Sequence, residues 1–199
     1  MTSPRIGVIV EGHGEVKAVP VLLTRLVSEL LPNPWPTFLR PFRESRDALV
    51  AVGGIERAVD DLLSRHQALT GLLALIDGDD DCPATLGPEL LTRIEAHRPG
   101  LRAAVVLAHR EYEAWFLAAA PSLSGHGGLN DDLHVPPEPE GVRGCKEWLS
   151  KHRPRHLPYD PVDHQAGLSA TFDLAMARKN SPSFDKFWRD VEFLITGKR

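Results

Sequence analysis

The chain contains two apolar segments that end in acids, Ile6-Gly7-Val8-Ile9-Val10-Glu11-Gly12-His13-Gly14-Glu15 and Leu72-Leu73-Ala74-Leu75-Ile76-Asp77-Gly78-Asp79-Asp80-Asp81. Their apolar parts do not alternate with polar residues, which is typical of strands buried on both faces of a parallel sheet. Because the carboxyl ends of parallel strands meet at one edge, we expect five or six carboxylates to crowd together there. Such a cluster is unfavourable without a cation, and oxygen ligands favour hard ions. The two segments therefore predict a Mg²⁺ or Mn²⁺ site that serves phosphate chemistry.

Strands alternate with helices along residues 1–120. In chain order the predicted elements are a strand at 5–10, a helix at 15–31, a short strand at 38–42, a helix at 54–66, a strand at 71–76, a helix that begins near Pro83, a strand at 101–107 and a helix that ends near Ala119. This alternation predicts an α/β, Rossmann-like fold with a central, mainly parallel sheet flanked by helices. Ligands bind such sheets at the carboxyl ends of the strands, where both acidic segments end.

The chain changes character after residue 120. Residues 121–141 are rich in proline and glycine and poor in apolar residues, and we expect a long loop that is either mobile or covers a site. Beyond it, apolar spacing predicts helices at 145–152, 165–179 and 182–195, the last capped by Ser181 or Ser183. We therefore expect a core at 1–120 and a helical carboxyl-terminal extension at 121–199 that packs on it.

Composition argues against several classes of protein. The 199 residues suffice for one domain, and two cysteines, Cys82 and Cys145, are too few for a disulfide framework and lack the spacing of a zinc knuckle. The net charge of −4 argues against a generally basic, nucleic-acid-binding surface. The sequence has neither a signal-like start nor a run of about 18 apolar residues, so we expect a cytoplasmic protein without membrane association.

The order of the acidic motifs resembles a known domain. Glu11-Gly12-His13-Gly14-Glu15, then a helix, then Asp77-Gly78-Asp79 after a later strand is similar to the Toprim domain of topoisomerases, primases and OLD-family nucleases. More narrowly, the chain resembles a bacterial Toprim-like family of about this length that is a domain of unknown function. The resemblance covers residues 5–117. It implies that Glu11 is the invariant Toprim glutamate, Glu15 the extra glutamate of OLD-type nucleases, and Asp77 and Asp79 the Asp-x-Asp pair.

The resemblance implies further site residues. Arg110-Glu111-Tyr112-Glu113 follows the fourth predicted strand, where OLD-type nucleases supply additional acidic ligands, and either glutamate can be the one that points inward. Lys179 resembles the late basic residue of some nuclease relatives and would stabilise transition-state charge. Because such relatives often sit beside ATPases in anti-phage or repair systems, the resemblance also implies an ATPase partner.

These residue types suit a site with one or two metal ions. A divalent ion held by Asp77 and Asp79 would polarise a phosphate oxygen, and a second ion about 4 Å away would help to generate the attacking hydroxide. Glu11 could instead act as general acid or base. The catalytic candidates are Glu11, Asp77, Asp79 and Lys179. The candidate metal ligands are Glu11, Glu15, Asp77, Asp79, Asp81, Glu111 and Glu113.

Each motif also has a purely structural interpretation. Residues 11–15 could be a turn followed by first-turn helix acids, which a helix amino end favours. Residues 77–81 could be a solvated loop. Glu111 and Glu113 could simply open a helix, and Lys179 could be a surface charge.

The functional prediction is a Mg²⁺- or Mn²⁺-dependent nuclease acting on DNA or RNA. Lys17 stands where a dinucleotide fingerprint needs its third glycine, and the sequence has no P-loop. The 199 residues leave no room for the modules that topoisomerases and primases require. Two alternatives stay open, a metal-dependent phosphatase or nucleotide hydrolase, and a catalytically silent Toprim module that regulates a partner ATPase. A closed site beneath residues 121–140 would favour the phosphatase, and an open basic groove would favour the nuclease. Self-association also stays open.

Overall fold

The computed structural model describes residues 3–30, 35–66 and 68–198. Within them, parallel strands form one sheet in the order β2-β1-β4-β5, and β3 pairs with β1 beyond the end of β2. The strands are β1 (Arg5–Val10), β2 (Thr37–Phe38), β3 (Phe42–Arg43), β4 (Gly71–Asp77) and β5 (Arg102–Ala108). The parallel sheet confirms the predicted α/β class.

Helices flank the sheet, as predicted. Within the described residues they are α1 (Glu15–Leu30), α2 (Arg46–Val50), α3 (Gly54–Arg65), α4 (Pro83–His97), α5 (Ala114–Ala118), α6 (Cys145–Lys151), α7 (Pro161–Ser169), α8 (Leu174–Asn180) and α9 (Pro182–Thr196). Leu31, the predicted end of the first helix, lies outside the described residues. None of the helices in the described ranges is long and apolar enough to cross a membrane.

Successive strand residues alternate between two hydrophobic layers, one on each face of the sheet. Leu73 and Leu75 of β4 pack in the layer that α1 and α9 complete, whereas Leu72, Ala74 and Ile76 pack in the layer with α3 and α4. The first layer also contains an aromatic cluster made of Tyr112, Trp115, Phe116, Phe172, Phe184 and Phe187. Residues before and after position 120 therefore share one core.

The register brings three strand ends to one edge of the sheet. Val10 lies opposite Leu75, and Asp77 lies opposite Ala108. The chain leaves β1, β4 and β5 at this edge, and the residues that follow each strand meet there.

The predicted strand at 38–42 is wrong, because the structure has two short strands there. Phe38 pairs with Ile6 at the start of β1, and Phe42 pairs with Ile9 near its end. Pro41 lies between them and has no N–H to donate to a ladder, so the pairing is interrupted.

The predicted helix at 165–179 is also wrong, because α7 and α8 are separate. The side chain of Asp173 accepts a hydrogen bond from the Met176 N–H at 2.7 Å and caps a new helix. The helix at 182–195 is confirmed as α9, and Ser181 is its cap, accepting from the Phe184 N–H at 3.0 Å.

Residues 121–141 are packed on the core. Leu123, Leu129 and Leu133 are buried in the first hydrophobic layer. Short 3₁₀ helices at Ala120–Leu123, His126–Gly128 and Pro139–Gly141 punctuate an otherwise irregular path. The three leucines supply the apolar anchors that make this path stable, although the surrounding composition is that of a loop.

Candidate functional site

A cavity of about 240 Å³ lies at the carboxyl edge of the sheet. Its acids come from three places: the turn after β1, the end of β4 and the segment after β5. The described residues that line it are Glu11, Gly12, His13, Gly14, Glu15, Asp77, Glu113, Lys146, Pro161, Val162 and Gln165. Residues 121–140 do not line this cavity, and its remaining wall comes from α6 and α7.

Backbone hydrogen bonds hold Glu11 and Asp77 in place. The Asp77 N–H donates to Glu11 Oε2 at 3.1 Å, and the Tyr112 N–H donates to Asp77 Oδ1 at 2.8 Å. The loops after β1, β4 and β5 are thereby joined through two carboxylates. This arrangement fixes the side chains on the edge of a rigid sheet.

Glu15 folds back over the turn that precedes α1. Its Oε2 accepts from the Glu11 N–H at 3.1 Å and from the Gly12 N–H at 3.3 Å, and the residue is 4% exposed. The amino end of a helix favours a carboxylate here. Glu15 therefore has a structural role at the start of α1, which is the alternative interpretation of its position, and it also lines the cavity.

Glu113 is fully buried at the base of the cavity. Its Oε1 accepts from the Tyr159 hydroxyl at 2.9 Å and from Gln165 Nε2 at 3.2 Å. Its Oε2 accepts no hydrogen bond, although Lys146 Nζ is 3.3 Å away. We interpret that contact as an ion pair without hydrogen-bond geometry.

Lys146 is the cation of the site. Its Nζ donates to Glu111 Oε2 at 2.8 Å, and its side chain is 39% exposed. Although burial lowers the pKa of this ammonium, Glu113, Asp77 and Glu111 together raise the pKa above its ordinary value. Lys146 is therefore charged at any physiological pH.

The four carboxylates of the cavity all resist ionisation. Burial, together with the charges of Glu11 and Glu113, raises the pKa of Glu15 to about 7, although the hydrogen bonds from the Gly12 and Glu11 N–H groups oppose this shift. Burial also raises the pKa of Asp77, with Glu15 and Glu113 adding to the effect. The pKa values of Glu11 and Glu113 are raised as well, chiefly by burial. Burial, more than repulsion among the acids, is therefore what opposes ionisation in this cluster.

Asp79 and Asp81 lie at the rim, outside the cavity. Their side chains are 59% and 52% exposed, and both pair with Arg46, whose Nε is 3.3 Å from Asp79 Oδ2. Asp80 pairs with Arg110 and Arg143. Of the predicted ligands in the 77–81 segment, the structure brings only Asp77 into the cavity.

Glu111 and Lys179 also lie outside the cavity lining. Among the described residues, Glu111 reaches the site through its hydrogen bond with Lys146, and Glu113 is the glutamate of this pair that lines the cavity. Lys179 is exposed in the last turn of α8, and no contact among the described residues joins it to the acids. The lysine that contacts these acids is Lys146, which lies near Glu111 and Glu113.

Sequence reasoning missed Lys146, Tyr159, Gln165 and Arg46. The first three contact glutamates 35 to 52 residues earlier in the chain. A local motif cannot signal such contacts. Arg46 follows Glu44-Ser45 at the start of α2, a short helix that the sequence did not predict.

The acids do not form a closed metal-binding set. Among the described residues, no group of three His, Cys, Asp or Glu side chains is arranged to hold an ion. The carboxylate oxygens that have hydrogen-bond partners accept from backbone N–H groups, the Tyr159 hydroxyl and the Gln165 amide. Ion binding would therefore need side-chain rotation within the cavity.

The fold and the site define an α/β protein with an acidic cavity at the carboxyl edge of a parallel sheet. Residues 10–192 match the family described as Domain of unknown function (DUF4276), and the chain belongs to that family. The match includes both Glu11 and most of α9, so it spans the sheet and the carboxyl-terminal helices. No curated protein and no solved structure matches the chain.

Proposed function

We propose that this protein is a nuclease that uses Mg²⁺ or Mn²⁺ to hydrolyse phosphodiester bonds in DNA or RNA. The observation that carries the proposal is the group of four carboxylates, Glu11, Glu15, Asp77 and Glu113, around one cavity of about 240 Å³. Ligands of parallel α/β sheets bind at this edge. An acidic lining suits a cation and the phosphate that the cation would bring with it.

The oxygen donors of the cavity suit a divalent cation in their chemistry, once side-chain rotation has brought them together. Glu113 Oε2 is buried and accepts no hydrogen bond. Glu11, Glu15 and Asp77 each bind backbone N–H groups through one oxygen, and the other oxygen of each accepts no hydrogen bond among the described residues. Oxygen-only sets suit Mg²⁺ or Mn²⁺. When bound, such an ion would polarise a phosphate oxygen and lower the pKa of a bound water.

The protein's own groups have distinct roles in this proposal. Lys146 donates to Glu111 and lies against Glu113, and a remaining N–H of its ammonium can donate to a phosphate oxygen. Glu11 has a second role where it does not bind the ion: its pKa, raised chiefly by burial, lets its carboxyl hold a proton for the leaving oxygen. Asp77, whose Oδ1 accepts a hydrogen bond from the Tyr112 N–H, would bind the metal ion through its other oxygen.

The Toprim resemblance supports the same function, with one departure. Glu11 and Asp77 lie where the resemblance requires acids, but Asp79 is paired with Arg46 at the rim. In our proposal Glu113 supplies the carboxylate that Asp79 would otherwise provide. An ATPase partner, self-association, a cytoplasmic location and a role in defence or repair stay predictions from the sequence.

A silent regulatory module is the second candidate function. The contacts of Lys146 with Glu111 and Glu113 favour it, because a protein cation already neutralises part of the cluster. Such a module would bind its partner without metal-dependent turnover. Its biological effect would survive substitution of Asp77.

The experiment is cleavage of labelled plasmid, linear duplex, single-stranded DNA and RNA with Mg²⁺ or Mn²⁺. We expect metal-dependent cutting by the wild-type chain and a loss of at least about 100-fold in Asp77→Asn and Glu11→Gln. Asp132→Asn, at an exposed position outside the cavity, is the matched control and should cut normally. Circular dichroism melting should show that all the variants fold.

Two results would contradict the nuclease proposal. One is equal cutting by the wild type and Asp77→Asn, which would indicate a contaminating nuclease. The other is no cutting of any substrate with either metal, which would shift the proposal to the silent module.

A further inference from the structure

A second and larger pocket adjoins the acidic cavity. Its volume is about 610 Å³, and in the described parts of the chain its lining contains no acid. The titratable residues that line it are His13, Lys17, Arg40, Arg43, Arg65 and His66. We call this feature the basic pocket. It is a concentrated positive surface on a chain whose net charge is −4.

The cations of the basic pocket have no acidic partners among the residues that the structure describes. Among the contacts of the described residues, none of Lys17, Arg40, Arg43 and Arg65 forms an ion pair, and all four are exposed. Elsewhere Arg46, like most other arginines that approach the sheet edge, is paired with acids. Like charges held together without a counter-charge attract an anion.

The basic pocket lies beside the acidic cavity. Arg43 of β3 lies opposite Val10, and Glu11 is the next residue along the chain. His13 lines both spaces. An anionic chain that occupies the basic pocket would therefore lead its next segment towards Glu11 and Asp77.

The shape of the pocket favours a single strand over a duplex. A concave volume of about 610 Å³ is in the range that encloses one small ligand, such as a nucleotide, but not a double helix. Arg65 lies over the ring of the half-buried Phe42, with 5.0 Å from its guanidinium carbon to the ring centroid. The outer face of that guanidinium is a flat surface on which an unstacked base can lie.

We propose that the basic pocket binds the sugar-phosphate backbone of a single nucleic-acid strand next to the bond that the acidic cavity cleaves. Lys17, Arg40 and Arg43 contact phosphates, and Arg65 stacks on a base. This inference rests on the proposed function, because that proposal makes the neighbouring acidic cavity the place where the strand is cleaved. The binding itself can be measured without any cleavage.

The test is fluorescence anisotropy with a labelled single-stranded oligonucleotide of about 12 thymidines, in EDTA and over a range of salt concentrations. We expect Lys17→Ala and Arg43→Ala each to raise Kd about 3- to 10-fold, and to reduce the slope of log Kd against log salt by about 0.7. Arg57→Ala is the matched control, since Arg57 is an exposed arginine of α3 that lines a different pocket. Its Kd should equal that of the wild type.

Three results would overturn the inference: no binding by the wild type, equal Kd values for Arg43→Ala and Arg57→Ala, or equal affinity for a blunt duplex. Asp132→Asn should bind the oligonucleotide normally, because Asp132 is exposed and lines neither the basic pocket nor the acidic cavity. Binding without cutting by any form would contradict the nuclease proposal and leave this inference standing. Metal-dependent cutting together with unchanged binding by the pocket variants would contradict this inference and leave the nuclease proposal standing.

Discussion

Glu15 is buried in the first turn of α1, where two backbone N–H groups bind one of its oxygens. Those bonds favour the charged form, but burial and the neighbouring Glu11 and Glu113 oppose it more strongly and raise its pKa to about 7. A carboxyl with a raised pKa binds its proton more tightly in the folded chain than in the unfolded chain. The stability it contributes is therefore present below pH 4.5, its ordinary pKa, and is lost as pH rises through about 7.

Replacement of Glu15 by glutamine should remove this pH dependence. Glutamine imitates the protonated acid and keeps an oxygen for the Glu11 and Gly12 N–H groups. In EDTA at pH 8 we expect Glu15→Gln to be more stable than the wild type, by up to about 3 kcal/mol. At pH 4.5 the two should be nearly equal. Urea unfolding at both pH values, with the exposed Glu29→Gln on the same helix as control, measures the difference. A glutamine variant that is less stable at pH 8 would contradict the assignment.

Lys146 should stabilise the site through its charge. We expect Lys146→Gln to destabilise the protein at pH 8 by about 1 kcal/mol or more, but by less than a fully buried pair, because the side chain is 39% exposed. The cost should be smaller at pH 5, because Glu113 and Asp77, whose pKa values are raised chiefly by burial, lose part of their negative charge as pH falls. Lys151→Gln, exposed on the same helix, should cost little at either pH. An equal cost for Lys146→Gln at both values would show that its charge is not what matters.

At the residue scale, the acids that follow strands directly were predictable. Glu11 and Asp77 lie at strand ends, and the geometry of a parallel sheet alone brings them together. The positions of the Asp79 and Asp81 side chains were not predictable, because both pair with Arg46. Arg46 lies on a helix that no sequence pattern indicated. Lys146 was missed because its partners are distant in the chain.

At the scale of elements, the turn after β1 and the helix α7 are packed without spare space. A Cβ atom added to Gly14 would lie 2.4 Å from Gln165 Oε1 and 2.6 Å from the Pro161 carbonyl oxygen. Gln165 also donates to Glu113. The position of α7 therefore sets the width of the acidic cavity, and Gly14 allows it to come this close.

Gly14→Ala should push α7 away from the cavity. We expect a loss of about 1–3 kcal/mol in the free energy of unfolding, because backbone atoms stand in the way of the new methyl group. Gly167→Ala is the matched control on α7, where an added Cβ meets nothing within 4 Å. It should be neutral or stabilise by up to about 1 kcal/mol through helix propensity. Thermal or urea unfolding of both variants measures the difference. A Gly14→Ala variant with the same free energy of unfolding as the wild type would contradict this packing.

The order and type of the elements that form the sheet were predictable, but the interruptions were not. Pro41 divides one predicted strand, and Asp173 begins a new helix within another predicted element. The apolar pattern continues past both residues and gives no sign of the interruption. Where an element ends depends on which side chains the core accepts, and here Phe172, next to Asp173, packs in the aromatic cluster.

At the scale of the whole molecule, the site is a joint product of the sheet and the carboxyl-terminal helices. The sheet supplies Glu11 and Asp77, whereas Lys146 and Gln165 come from α6 and α7. The hydrophobic layer that holds these parts together runs without a break from β1 to α9. The family match over residues 10–192 agrees with a unit of this extent.

The most direct test of the account is a titration of the metal-free chain with Mn²⁺. The electron paramagnetic resonance signal of the free ion measures how much of it is bound. The account predicts saturable binding by the wild type, affinity reduced at least about tenfold in Asp77→Asn, and unchanged affinity in Asp132→Asn. Absence of saturable binding, or equal binding by Asp77→Asn and the wild type, would show that the acidic cavity is not a metal site.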